Sequence, residues 1–343
     1  MNAEGSAISP RALVESFGVF FGVFFVDMSA NRKIVHLQTN GYTRRDFFKT
    51  GVSALASATL LSRGNSLLAD PLGLPLGLQL YSVREQLAQD YAGTLRQIAA
   101  LGYREVEAAG FFQHSPEQVV QAMHAAGLHC VGAHYSMHDL QQQMDSILPY
   151  CKAVGVRYIV CSFPWFKNPA RLKDTSFRTQ VLSFTLEDWR WNAEQFNRLG
   201  AKVRAAGMRF AYHNHTMEFQ PQQGVVPYDE LMRLTDPKLV TMEMDCGWVI
   251  VGGGNPVEYL RRYPTRITLL HIKDFKKTDH AASVADPPPA AELGQGTVDY
   301  RPIFAAAKKA GHIRHMYVEQ EAFDMPPMQA LKIDAEYMRH LHA

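Results

Sequence analysis

Residues 201–215 read AKVRAAGMRFAYHNH, and this one phrase organises most of the chain. An amphipathic stretch ends on a small residue, Gly207 follows, and a short apolar run closes on Tyr212-His213-Asn214-His215. The phrase occurs five times, pivoting on Gly102, Gly127, Gly155, Gly207 and Gly311. Each glycine fits the left-handed position just past a helix C-terminus, where a missing Cβ removes the steric cost. The stretches before them carry helical spacing, as in Leu87, Tyr91, Leu95, Ile98, Leu101 and in Leu140, Met144, Ile147, Cys151, Val154. The runs after them are predicted strands: Glu105–Ala108, His129–His134, Val156–Cys161, Met208–His215 and Arg314–Gln320. Leu76–Tyr81, Leu239–Asp245 and Arg266–Lys273 have strand composition without the phrase. Eight strands alternating with helices predict a parallel sheet covered on both faces. In a chain of this length they predict a single-domain α/β protein, a closed (β/α)8 TIM barrel. No G-x-G-x-x-G follows the first strand, which argues against an open dinucleotide-binding sheet.

The 343 residues carry 35 Lys+Arg against 33 Asp+Glu. A formal charge of +2 lacks the basic excess of a non-specific nucleic-acid binder, so no nucleic-acid partner is expected. With 47% hydrophobic and 20% charged residues, the composition is not that of a disordered chain. Cys130, Cys151, Cys161 and Cys246 show no CxxC pair and no metal-type spacing, and are expected as buried free thiols. No apolar run reaches the ~18 residues of a spanning helix, so no stable membrane insertion is expected.

Ahead of the barrel, TRRDFFK at 43–49 precedes a weakly apolar run and a polar stretch ending at Ala69. It looks like a twin-arginine export signal, S/T-R-R-x-F-x-K. Residues 1–69 are therefore expected to be an extension and signal peptide handled by the Tat export machinery, with the natural start at Met28 and a periplasmic destination. Residues 70–343 are then the barrel, close to the ~250 residues of one such unit.

Chemistry in such barrels sits at the C-terminal ends of the strands. Here those ends hold Gln79 and Tyr81, Glu105 and Glu107, His134, Tyr212-His213-Asn214-His215, Glu243-Met244-Asp245, His271-Ile272-Lys273-Asp274 and Glu319-Gln320-Glu321. Gathering carboxylates costs several kcal/mol unless a cation or proton compensates. Imidazole nitrogen with carboxylate oxygen, and no thiolate, suits Mn²⁺, Zn²⁺, Co²⁺ or Fe²⁺, and Mg²⁺ less. By period-two alternation Asp245 reaches the mouth with Glu243 one layer deeper, Glu321 lies nearer the loop than Glu319, and His213 is the deeper partner of His215.

The strings YHNHTMEF, EMDCGW, LLHIKDF, ELGQGTVDY and YVEQE resemble the sugar phosphate isomerase/epimerase family, the xylose-isomerase-like TIM barrels, from about Leu76 to the C-terminus. The resemblance implies one divalent metal, Mn²⁺ first, held by a Glu, an Asp, a His and a second Glu from strands five to eight. By motif position the last three match Asp245, His271 and Glu319. The first Glu falls on His213, a departure that weighs against simple two-base epimerisation, with Glu218 available from the following loop.

A metal bridging a carbonyl and a neighbouring hydroxyl acidifies the adjacent C–H by stabilising the enediolate. Glu319, Glu107 or His134 is the expected base, and Lys273 stabilises the oxyanion or else pairs with Asp274 or Glu243. Tyr81, His215, Glu218, Trp165, Trp248 and Glu321 are the expected substrate-binding residues, with Phe163 beside Trp165. The expected activity is a metal-dependent isomerase or epimerase acting on a neutral sugar or keto-sugar. The alternatives are a lyase or dehydratase on a keto-sugar, keto-inositol or 3-keto-glycoside, and a non-catalytic sugar-binding barrel. A nuclease resembling endonuclease IV would need more histidines and a basic groove. The insertion Phe163–Asp188 reads as a lid or a contact in a homo-oligomer, and Lys276–Ala291, with its three prolines, as an exposed loop.

Overall fold

Eight parallel strands close on one another in the computed structural model, which describes residues 71–172, 175–279 and 283–341. They are β1 (Gly77–Gln79), β2 (Glu105–Ala108), β3 (His129–Ser136), β4 (Tyr158–Phe163), β5 (Arg209–His213), β6 (Val240–Asp245), β7 (Ile267–Ile272) and β8 (His315–Val318). Each pairs with its neighbours in sequence, and β8 returns to β1 through Gly77↔Tyr317 and Leu78↔Val318. The (β/α)8 barrel expected from the sequence is the fold. The expected signal peptide and start codon lie outside the described residues, among which no helix is long and apolar enough to cross a membrane.

The five glycines do what their spacing required. Gly102, Gly127, Gly155, Gly207 and Gly311 all have positive φ, between 69° and 103°. There a Cβ would be strained, and the chain leaves each helix to enter the next strand. The four cysteines are free and buried.

Several strands are shorter than their composition suggests, because their polar ends peel away to make other bonds. β1 stops at Gln79, whose side chain accepts the Tyr81 amide and starts a 3-10 turn over Leu80–Val83. β5 stops at His213 because the Asn214 amide clamps β6 instead, accepting from Asp245 N at 3.1 Å and donating to Asp245 O at 3.3 Å. β3 runs on to Ser136, which caps the helix Met137–Val154.

Two register shifts matter for the lumen. Opposite β2, the pairing steps from Val106↔Cys130 to Glu107↔Gly132; between β6 and β7 it steps from Met242↔Ile267 to Glu243↔Leu269. Such bulges re-aim side chains. Below the site, Val131, Tyr158, Val160, Ala211 and Leu269 form a small buried cluster distinct from the main core. Ala211 and Leu269 sit two residues before His213 and His271, hence on the same strand face one layer down.

The insertion after β4 is anchored rather than loose. Phe166 stacks on Phe184 at 4.0 Å and Phe184 on Trp189 at 4.9 Å, while Asn192 holds both N and O of Trp165. The second insertion departs from the expected exposed loop at its base, where Asp274–Phe275 pairs antiparallel with Ala290–Ala291 and buries Phe275.

Candidate metal centre

Four strand ends meet at the mouth. Among the described residues, ligand-capable atoms of His213, Asp245, His271 and Glu319 all lie within 4.8 Å of one another, and all four residues are buried. A second such group, His134, His213, Glu243 and His271, lies on the same lumen and shares two members with the first.

Each member is held by local bonds. Asp245 spends Oδ1 on the amide of Trp248, capping the helix Cys246–Val251, while Oδ2 is buried without a hydrogen-bond partner. Burial, opposed by the Lys273 ammonium, pushes its carboxyl up to about 6. His271 presents Nδ1 to Glu319 Oε2 at 3.1 Å and Nε2 to Glu107 Oε2 at 2.8 Å. An imidazole whose second nitrogen meets a carboxylate is oriented the way metal-ligating histidines usually are. Burial keeps His213 well below the usual imidazole range, and its Nδ1 meets Glu243 Oε2 at 3.0 Å. Two imidazoles and two carboxylates gathered in one buried group, without thiolate, are a donor set that fits a divalent cation.

Lys273 stands beside this group with its ammonium 3.0 Å from Glu319, 2.5 Å from Glu321 and 3.4 Å from Asp245. Burial alone would lower its pKa; these three carboxylates raise it instead. Its nitrogen also sits 4.6 Å from the centroid of the Trp248 ring. The Tyr300 hydroxyl grips its backbone from both sides, accepting from N and donating to O.

The alternative expected for Lys273, an ion pair with Asp274 or Glu243, does not form. Asp274 is turned away, accepting the amides of Phe275, Gly294, Gly296, Thr297 and Val298, and Glu243 points to histidines. Glu218, expected to be available from the loop after strand five, lies apart from the cluster. It is buried under a 3-10 turn, accepts from Tyr212 Oη and His215 N, and joins neither group of ligand-capable atoms. Burial lifts its carboxyl to about 7.

Glu107 and His134 sit against His271 beside the strand-end cluster. Glu107 is fully buried, and its Oε2 meets Gln79 Nε2, His134 Nε2 and His271 Nε2, each at 2.8 Å. Burial alone would raise its carboxyl, but the charge and hydrogen bonds of His134 and His271 bring it down to about 2. The Glu107 carboxylate, with that of Glu243, lifts His134 to about 9 against the effect of burial. Gly132 leaves the necessary space, since a Cβ there would stand 2.3 Å from Glu107 Oε1.

At the rim, His215 is half-buried, edge-on to Phe163 and His213. Trp165 lies beside His138 at 5.3 Å, and Tyr81 packs under the Arg84 guanidinium at 4.1 Å. Glu321 is the most open carboxylate of the set, one-third exposed at its side chain. The structural roles of Asn214 and Asp274 had no signal beyond their place in the HNH and HIKD strings.

Residues 95–341 match a family model described as a xylose isomerase-like TIM barrel. An inosose dehydratase from Lacticaseibacillus casei is 31% identical over 181 residues, 50% of this chain and 60% of that protein, so the chain matches less than two thirds of that relative's length. A sugar phosphate isomerase/epimerase from Parabacteroides distasonis ATCC 8503 superposes with a TM-score of 0.61 at 25% identity, covering 77% of this chain and 97% of that one. The IolI protein, solved with a zinc atom bound, superposes with a TM-score of 0.59 at 14% identity over 77% of this chain and 96% of that one, a likeness of fold.

Proposed function

The chain belongs to the xylose isomerase-like TIM barrel family, and from that premise we propose that it is a divalent-metal-dependent lyase, a dehydratase of a keto-sugar or keto-inositol. The observation that carries the reading is the convergence of His213, Asp245, His271 and Glu319 at the C-terminal ends of the strands. A divalent cation there, Mn²⁺ or its neighbours Zn²⁺, Co²⁺ and Fe²⁺, would polarise the substrate carbonyl and stabilise an enediolate.

The rest is work for this chain's own side chains. Glu319 takes the proton beside the carbonyl, and the C–H electron pair becomes the new C=C bond as the bond to the β-hydroxyl breaks. The departing oxygen leaves as water with a proton from the Lys273–Glu321 pair, which borders Glu319 and reaches solvent through Glu321. Tyr81, His215, Trp165 and Trp248 line the approach for a neutral ring. Elimination is favoured over epimerisation because His213, kept neutral by burial, stands where a second carboxylate base would be needed. The dehydratase name of the Lacticaseibacillus casei relative supports the same choice.

Isomerisation or epimerisation shares the first proton transfer, and the Parabacteroides distasonis likeness supports it as the second reading. The twin-arginine string extends the proposal to export by the Tat machinery and a periplasmic substrate, where free sugars are the accessible form. The test is incubation of metal-loaded protein with keto-inositols and 3-keto-glucosides in D₂O, read by mass spectrometry. Loss of one water establishes the lyase. Retained mass with deuterium beside the carbonyl establishes the second reading instead, and no deuterium and no mass change across the panel refutes both.

A further inference from the structure

Lys273 is the single residue between β7 and the short Asp274–Phe275 strand, and the pairing of β7 with β8 ends one residue before it. One hydroxyl takes over where that ladder stops. The Lys273 N–H donates to Tyr300 Oη at 2.7 Å, and the Tyr300 O–H donates to the Lys273 carbonyl at 2.6 Å. In an antiparallel sheet a residue's N–H and C=O can both be met by one facing residue. Here a side chain 27 residues further along the chain meets both. Burial holds the Tyr300 phenol well above its ordinary range, so it keeps the proton that it donates.

The surroundings hold this contact in place. Tyr300 is fully buried at the start of the helix Tyr300–Ala310. The segment leading into that helix is folded back by Asp274, the residue after Lys273, which accepts the amides of Gly294, Gly296, Thr297 and Val298. Gly247 also closes on Lys273: a Cβ there would stand 2.9 Å from the Lys273 carbonyl oxygen and 3.2 Å from its Cβ. The backbone of Lys273 is therefore fixed, whereas the four-carbon stem beyond it is flexible by nature.

A buried hydroxyl that needs only a partner is satisfied by one hydrogen bond. Spending both donor and acceptor on the two backbone groups of a single residue fixes where that residue's side chain begins. What depends on that origin is the ammonium, 3.0 Å from Glu319 and 2.5 Å from Glu321. A misplacement of about 1 Å can cost on the order of a hundredfold in rate.

We infer that Tyr300 is a positioning residue for Lys273, setting its ammonium where the Lys273–Glu321 pair hands a proton to the departing oxygen. The inference rests on the elimination proposed above. There Glu319 removes the proton beside the carbonyl, the C–H pair becomes the C=C bond, and the C–O bond breaks as its oxygen gains a proton and leaves as water. Tyr300 acts on the last of these events only.

The test compares the metal-loaded full chain with Tyr300→Phe, which keeps the ring and removes the hydroxyl, on a keto-inositol in D₂O. Water loss should fall at least about tenfold in kcat with KM within about twofold. Deuterium should enter the recovered substrate beside the carbonyl no more slowly than in the wild type, because that exchange needs only Glu319. Gly247→Ala presses on Lys273 and leaves Tyr300 intact, so it should give the same split and covers the case of a Tyr300→Phe chain that does not fold. Reductive methylation of Lys273, read by peptide mass spectrometry without substrate, should run at least about tenfold faster in either variant than in the wild type. Water loss or labelling at the wild-type level in both variants overturns the inference while leaving the proposed function standing, as does a fall in water loss matched by an equal fall in deuterium uptake. A wild type that loses no water refutes the proposed function instead, and the labelling alone then decides whether Tyr300 positions Lys273.

Discussion

Replacing Gly132 by Ala adds one methyl group against the buried carboxylate of Glu107. The new Cβ would stand 2.3 Å from Glu107 Oε1, 3.1 Å from Cδ and 3.2 Å from Cγ, so the whole carboxyl end must retreat by about 1 Å to restore normal contact. It has nowhere easy to go, because Glu107 is fully buried and its Oε2 is fixed by Gln79, His134 and His271. Overpacking of this kind costs about 1–3 kcal/mol. Loosening even one hydrogen bond to a charged group adds about 1.5–3 kcal/mol. A loss of roughly 3–5 kcal/mol lowers the melting temperature of a domain this size by about 6–20 °C. Differential scanning calorimetry at fixed pH and metal concentration measures it, with Glu107→Ala as the second arm. Once the carboxylate is gone, Gly132→Ala should cost less than about 1 kcal/mol, giving a coupling of at least about 2 kcal/mol between the two positions. A Gly132→Ala protein melting within about 1 °C of wild type, or losing as much stability with Glu107 removed as with it present, would refute the close approach as its cause.

Asp245→Asn should abolish tight metal binding by the group of His213, Asp245, His271 and Glu319 while the far-ultraviolet circular dichroism stays that of the wild type; unchanged metal content would show that another carboxylate does the holding. Asp334, buried on the helix Pro327–His340 and accepting from Leu293 N, has its carboxyl raised to about 7 by burial. A raised acid favours the folded state fully below its unfolded value and loses that contribution as pH climbs through the folded one. Stability should therefore decline between about pH 4 and pH 7, by at most about 1.4 kcal/mol per unit from this group. Urea unfolding of Asp334→Asn should gain on the wild type as pH rises across that window, and a pH-independent difference would show that the group does not titrate there. Asp274→Ala leaves the Gly294, Gly296 and Val298 amides without this acceptor, so hydrogen exchange at these three should accelerate by at least roughly a hundredfold, about 2.7 kcal/mol of local opening, while Thr297 N keeps Phe275 O. Exchange as slow as in the wild type would mean that the segment is held by something else.

The architecture was legible because parallel barrels repeat one junction, and the five glycines with positive φ mark it in plain sequence. The strand-end cluster was legible for a related reason: residues at the last positions of neighbouring parallel strands are brought to one rim whatever lies between them. The contacts that Glu107 and Glu243 make with the histidines were not legible, because the register shifts opposite both residues break the strict alternation on which such a reading depends. A bulge is a matter of one backbone residue and leaves no mark in composition. Of the two readings for Lys273, the ion pair with Asp274 or Glu243 does not form, because Asp274 turns to four loop amides as well as that of Phe275, contacts that exist only once Gly294–Val298 has folded back. Glu218 was lost to a three-residue turn.

The seam where the first and last strands meet is thin: β1 is only three residues long, and two register pairs join it to β8. Inside the lumen, a relay of polar contacts runs from Gln79 to Glu107, on to His271 and then to Glu319, stitching the first stave to the second, the second to the seventh, and the seventh to the end of the eighth. The reactive rim is thus also the rivet that keeps the cask shut. Any attempt to retune its chemistry by substitution will alter closure at the same time, so turnover and unfolding must be measured side by side before either change is ascribed to a single residue.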